Sequence, residues 1–112
     1  MQSQFTKKLV FKGLLPRTRW QSKQDGTLYL YKSVYFAKEN LATLSKALNE
    51  NPAAIAEVAR YETGALRLDI FYGEQSGKAF GQLYEYVPYE YQPCSRVFEW
   101  GANDVEKLLK QI

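Results

Sequence analysis

Apolar and polar residues alternate over residues 5–15, FTKKLVFKGLL. Phe5, Lys7, Leu9 and Phe11 share one face, and Thr6, Lys8, Val10 and Lys12 share the other. Period-two alternation predicts a half-buried strand with a basic outer side, which Pro16 ends. Residues 19–36 carry a hairpin signal. Asp25-Gly26 is a dipeptide that a type I′ turn favours, because both central residues need positive φ. A two-residue loop there would set Lys23 against Leu28 and Trp20 against Tyr31. In the second arm Leu28, Leu30, Val34 and Phe36 share the expected core face, and Tyr29, Tyr31 and Tyr35 share the other.

The period then lengthens. In residues 38–51 Leu41, Leu44 and Leu48 fall on one stripe with Ala37 and Ala47, which predicts an amphipathic helix. Pro52 cannot continue it, and Asn51-Pro52 reads as an N-cap followed by Pro at N1. Residues 52–64 read two ways: four alanines favour a short helix with Gly64 near its end, while YETGA resembles a hairpin turn. The helix is the preferred reading. Strands follow at 65–72, 79–87 and 94–100, with GEQSGK a loop between the first two. Asn103 or Asp104 caps a last helix whose stripe is Val105, Leu108, Leu109 and Ile112. Strands and helices are segregated rather than alternating. This predicts one α+β domain over 1–112: a mainly antiparallel sheet of about five or six strands, with two or three helices packed on one face.

Composition narrows the chemistry. With no histidine among 112 residues, Ser-His-Asp and Cys-His nucleophilic pairs and Cys/His zinc sites are excluded within one chain. The lone cysteine, Cys94, cannot form an intrachain disulfide and reads as a small, partly buried residue. GEQSGKA has three residues between its glycines and Ala79 where a phosphate loop needs Ser or Thr. The carboxylates Asp69, Glu74, Glu85, Glu90 and Glu99 form no recognisable acid–base pair. No catalytic residue, metal ligand or cofactor is therefore expected, and the chain is read as non-enzymatic. The basic N-terminus lacks the unbroken apolar run of a signal peptide, and no window is long enough to span a membrane. A cytoplasmic protein without membrane contact is expected.

Charge then points to partners. Residues 1–46 hold nine Lys/Arg against Asp25 and Glu39, a net +7, whereas residues 47–112 carry a net −4. Such asymmetry suggests an anionic partner, unless folding interleaves the two halves. Nine of the seventeen aromatics are tyrosines. Lys8, Lys12, Arg17, Arg19, Lys23 and Lys32 accompany Trp20, Tyr29 and Tyr31. Cations that follow phosphates beside rings that stack on bases suit single-stranded nucleic acid. This basic, aromatic hairpin is the first candidate site. The second is the acidic, tyrosine-rich strand 82–91, with Tyr84, Tyr86, Tyr89, Glu90 and Tyr91. Tyrosines beside carboxylates suit a protein partner, and an edge strand marked by Pro88 would accept a second strand in a complex or a homodimer. On an unbroken strand Tyr84 and Tyr86 would face away from Tyr89 and Tyr91, so the four could not form one stacking ladder.

Overall fold

The computed structural model describes residues 5–12, 15–22, 28–73 and 76–111, with side chains described from Tyr29 onward. Among the described residues seven strands form one antiparallel sheet: β1 (Phe5–Lys12), β2 (Leu15–Ser22), β3 (Leu28–Phe36), β4 (Leu66–Tyr72), β5 (Lys78–Val87), β6 (Glu90–Pro93) and β7 (Phe98–Gly101). Their order is β1-β2-β3-β4-β5-β6, and β7 shares the outer side of β5 with β6. Helix α1 (Leu41–Glu50) follows β3, and α2 (Glu106–Leu109) follows β7. The expected α+β architecture is the one the chain adopts.

Alternation decides which face of the sheet is core. Val34 and Phe36 of β3, Leu66, Leu68 and Ile70 of β4, Ala79 and Leu83 of β5, and Phe98 and Trp100 of β7 all point to one side. Leu44, Ala47 and Leu48 of α1, Ile55, Val105 and Leu108 cover them there. The helices therefore lie on one face, because each has a single apolar stripe to bury.

Several local readings are corrected. Residues 52–57 form a 3-10 helix begun by Pro52, and Tyr61 then makes an isolated bridge to Tyr35, so YETGA is not a hairpin turn. Asn51 is the N-cap by position, but its side chain makes no capping hydrogen bond. The last strand starts at Phe98 rather than Cys94. At Ser95 the chain passes from β6 to β7: its Oγ accepts the Leu83 N–H at 2.9 Å, and Cys94 N–H donates to Leu83 O at 2.9 Å. Side-chain bonding there replaces the ladder between the two short strands. The final helical segment is capped at Gly101, whose N–H donates to Asp104 Oδ2 at 3.2 Å; Ile112 lies outside the described residues.

The first hairpin also differs. Pro16 does not stop a strand; it lies within β2, opposite Phe11. Trp20 pairs with Tyr29 and Gln21 with Leu28, not Trp20 with Tyr31. Asp25-Gly26 and Lys23 lie outside the described residues. The register is displaced by two residues from the expected one, and a two-residue shift preserves every side-chain face.

Candidate nucleic-acid interface

Strands β1 and β2 pair over their full length, whereas β2 meets β3 at only two residue pairs. They form a two-stranded ribbon continuing the main sheet. Its two strands hold Lys7, Lys8, Lys12, Arg17 and Arg19 and no carboxylate. In the register Lys8 stands directly across from Arg19, Val10 from Arg17 and Lys7 from Trp20. Trp20 stands in turn across from Tyr29. The rows alternate, so Lys8 and Arg19 belong to the row next to that of Trp20 and Tyr29 and fall on the other face. Cations and aromatics expected to act side by side are thereby divided between two faces.

Two further members of that candidate site are corrected or relocated. Tyr29 was expected on the binding surface, yet it is only 1% exposed. Its ring packs edge-on against Phe80 with centroids 5.6 Å apart, so it cannot stack on a ligand. Lys32 is exposed but has the parity of Val34, opposite to Tyr31.

The rest of the tyrosine side of the sheet forms a second assembly that the sequence left scattered. Tyr35, Arg67, Tyr84 and Pro93 occupy one straight row across β3, β4, β5 and β6. Ser33, Asp69 and Gln82 form the next row, and Tyr86 stands opposite Tyr91. Arg67 is sandwiched: its guanidinium carbon lies 4.6 Å from the Tyr84 ring centre and 4.8 Å from that of Tyr91. Tyr91 also meets the rings of Tyr35 and Tyr86 at 6.2 and 5.2 Å, tilted by 60° and 70°. Its hydroxyl donates to Gly64 O at 2.7 Å, and that of Tyr84 donates to Gln82 Oε1 at 3.0 Å.

Asp69 anchors this face from within. It is 7% exposed. Arg67 Nη2 donates to its Oδ2 at 3.1 Å, and Arg67 Nε lies 2.8 Å from Oδ1 without hydrogen-bond alignment. The hydroxyls of Tyr31 and Ser33 lie 3.0 and 3.2 Å from the same Oδ1 and 2.6 Å from each other. Two hydroxyl protons thus serve three short contacts. Burial raises the Asp69 pKa above its ordinary value, outweighing the opposing pull of Arg67 and the hydroxyl donors. Burial also raises that of Tyr31.

The tyrosine-rich segment is not one strand. Val87 pairs with Glu90, so Pro88 and Tyr89 make a two-residue turn. Residues paired across this turn are an odd number apart, so parity switches there and Tyr91 returns to the face of Tyr84 and Tyr86. Tyr89 is left at the tip with φ 77° and 96% exposed. Glu85 pairs with Leu66 and Gln92, and Glu90 with Val87, so both acids sit at positions facing away from the tyrosines. β6 is an edge of the sheet, but the expected edge strand 82–91 is not one: Tyr84 and Tyr86 belong to β5, which is paired on both sides, and only Glu90 and Tyr91 lie on the edge.

Other features offer less chemistry. An open cleft of about 630 Å³ between α1 and β7 is lined by Glu50, Arg96, Phe98, Glu99, Trp100 and Asp104 among others. The buried Asp69 lies on the sheet face and not in this cleft. Among the described residues no group of three His, Cys, Asp or Glu side chains is placed to hold a metal ion, and no helix is long and apolar enough to cross a membrane. Cys94 is exposed rather than partly buried. Partial desolvation and Glu85 hold its thiol above the usual value, unlike an activated thiolate. Among the described residues the ion pairs Lys78–Glu99, Lys107–Glu57 and Lys110–Glu106 lie within the acidic half.

No family model, no curated protein and no solved structure matches this chain.

Proposed function

We propose that this protein is a non-enzymatic module that binds nucleic acid through the β1–β2 ribbon. One observation carries the reading: Lys8 directly across from Arg19, in a ribbon with five cations and no carboxylate. Like charges directly opposite on a sheet repel. A polyphosphate laid along the ribbon removes that repulsion and releases its own counterions. Oligonucleotide binding is expected to weaken with salt, linearly on logarithmic axes. The double substitution Lys8→Gln/Arg19→Gln should reduce the slope by about 1.4 to 1.8, at roughly 0.7–0.9 per phosphate contact. Fluorescence anisotropy over a salt series checks this. A salt-independent affinity, or no binding at low salt, would sink the proposal.

A second reading, a protein partner, is favoured by Tyr89. Position i+2 of a turn with Pro at i+1 and positive φ ordinarily takes Gly or Asn. Here it holds a fully presented tyrosine beside Glu90, at a conformational cost that a partner's pocket would justify. Tyr89→Gly is expected to raise stability by about 0.5–1 kcal/mol, since glycine relieves the strain and gives back part of it as chain entropy. Urea denaturation measures that gain. On this reading the same variant loses capture of a partner protein; unchanged capture would argue against it.

A further inference from the structure

We infer that the β1–β2 ribbon enters the major groove of double-stranded, B-form DNA, with the face of Lys8, Lys12, Arg17 and Arg19 against it. This rests on the ribbon reading and adds the class of nucleic acid. The register sorts the ribbon's residues by kind. Lys8, Lys12, Arg17, Arg19 and Gln21 hold positions on one face, with only Thr6, Val10 and Leu15 between them. Phe5, Phe11 and Trp20, every aromatic residue of the two strands, hold positions on the other. A single strand is bound by rings that stack on its bases, and the cationic face has no ring to offer. A duplex keeps its bases stacked inside and presents phosphates and groove edges instead. Cations suit the phosphates, and Arg and Gln are residue types that contact guanine and adenine edges in the major groove.

The ribbon's width fits the groove. Among the described residues β3 joins β2 only at Trp20 and Gln21. The rows that hold the four cations, Lys8 with Arg19, Val10 with Arg17 and Lys12 with Leu15, are therefore two strands wide. The major groove of B-form DNA, about 12 Å wide, admits a two-stranded ribbon, whereas the minor groove, about 6 Å wide, does not. The pitch fits as well. Positions two apart on a strand advance by about 6.8 Å, close to two base pairs at about 3.4 Å each. Arg17, Arg19 and Gln21 thus keep step with the duplex.

The cationic face continues onto β3. Gln21 stands opposite Leu28, and Lys32 shares the parity of Leu28. Along β3 Phe36 and Val34 are buried under the helices, whereas Lys32 is exposed and Leu30 half-buried. Cover by the helices therefore thins towards the ribbon. The sheet rows through Leu30 and Lys32 hold no carboxylate, so a polyanion on the ribbon meets a further cation there rather than an opposing charge.

The test measures fluorescence anisotropy over a salt series with four labelled probes of one mixed sequence. They are a DNA duplex, its isolated strand, the corresponding RNA duplex, and the DNA duplex with glucosylated hydroxymethyl groups at pyrimidine C5, which fill the major groove. The RNA duplex matches the charge of the DNA duplex, but its major groove is too deep and narrow for side chains to read. The unmodified chain should bind the plain DNA duplex more tightly than each other probe by on the order of 5- to 150-fold, the worth of one groove contact. Lys8→Gln should lower the salt slope on that duplex by about 0.9, one phosphate contact, and by more than Lys7→Gln, its neighbour on the other face. The probe comparison uses the unmodified chain alone, so it stands whatever the stability of the variants. Equal or tighter binding of the isolated strand, the RNA duplex or the blocked duplex would overturn the inference, and so would equal slope losses in the two lysine variants. In any of those cases a reduced slope in Lys8→Gln/Arg19→Gln would leave the ribbon reading standing. Absence of binding to all four probes at low salt would overturn both.

Discussion

Replacing Asp69 by alanine is expected to destabilise the fold by about 2–4 kcal/mol, near the lower end of what breaking a buried pair costs. The loss has two parts. Arg67, whose side chain is 23% exposed, keeps a mostly desolvated charge without its counterion, and Tyr31 and Ser33 lose their shared acceptor. Partial access of Arg67 to water keeps the figure below the fully buried limit. Asp69→Asn should cost less, because the amide oxygen still accepts from the hydroxyls. The pH dependence is diagnostic. Burial raises the native-state pKa of Asp69, so the folded chain takes up this proton before the unfolded chain does. Its contribution to stability is therefore greatest below the ordinary carboxylate value and is lost as pH rises through the raised native one. That is opposite in sign to a carboxylate whose pKa is held down by its ion pair. Urea denaturation of the unmodified chain and Asp69→Asn at a series of pH values gives the difference directly. The unmodified chain should lose stability relative to the asparagine variant as pH rises across that window. A difference that moves the other way would show that Arg67 and the hydroxyls, not burial, dominate the site.

Asp69 also marks where sequence reasoning stops. In LRLDIFY, Arg67 and Asp69 alternate against Leu66, Leu68 and Ile70, and an alternating strand assigns such charges to solvent. The strand and its core face are correct, because period and parity are local properties. The burial of Asp69 is not local: its hydroxyl partners lie 36 and 38 residues away on β3. The tyrosine face was hidden for a similar reason. Parity counted through VPYE places Tyr91 opposite Tyr86, but parity holds only within a strand, and the turn at Pro88-Tyr89 resets it. Pro88 was the available signal. Tyr89 masked it, since a tyrosine is not the residue a positive-φ position leads one to expect. The β2–β3 register was equally illegible. Alternation cannot separate two registers that differ by two residues, so only the Asp25-Gly26 cue spoke, and it pointed to a different pairing.

The second large effect is expected on the core side of the same sheet, at Gly81. β5 runs between β4 on one side and β6 and β7 on the other. Its even-numbered residues Phe80, Gln82, Tyr84 and Tyr86 lie on the tyrosine face, and Ala79, Gly81 and Leu83 face the core. A side chain at Gly81 would meet the Trp100 indole, with Cζ3 only 2.5 Å from its Cβ. Trp100 is 7% exposed and stacks on Phe98 at 6.1 Å, so the indole has no vacant place to go. Gly81→Val should therefore cost about 2–3 kcal/mol, overpacking outweighing the gain in strand propensity. Trp100→Ala should cost about 3–5 kcal/mol through the cavity it leaves. If the two residues share one space, the double variant is less destabilised than the summed single costs by at least about 1 kcal/mol, because valine fills part of the vacancy. Additive costs would show that the glycine serves the backbone rather than the indole. The same strand allows a separation of core from surface. Trp100→Ala removes no group from the β1–β2 ribbon, so at temperatures where it stays folded its oligonucleotide affinity should match that of the unmodified chain. A folded Trp100→Ala protein with weakened binding would mean that core packing reaches the proposed ribbon site through β5, β4 and β3.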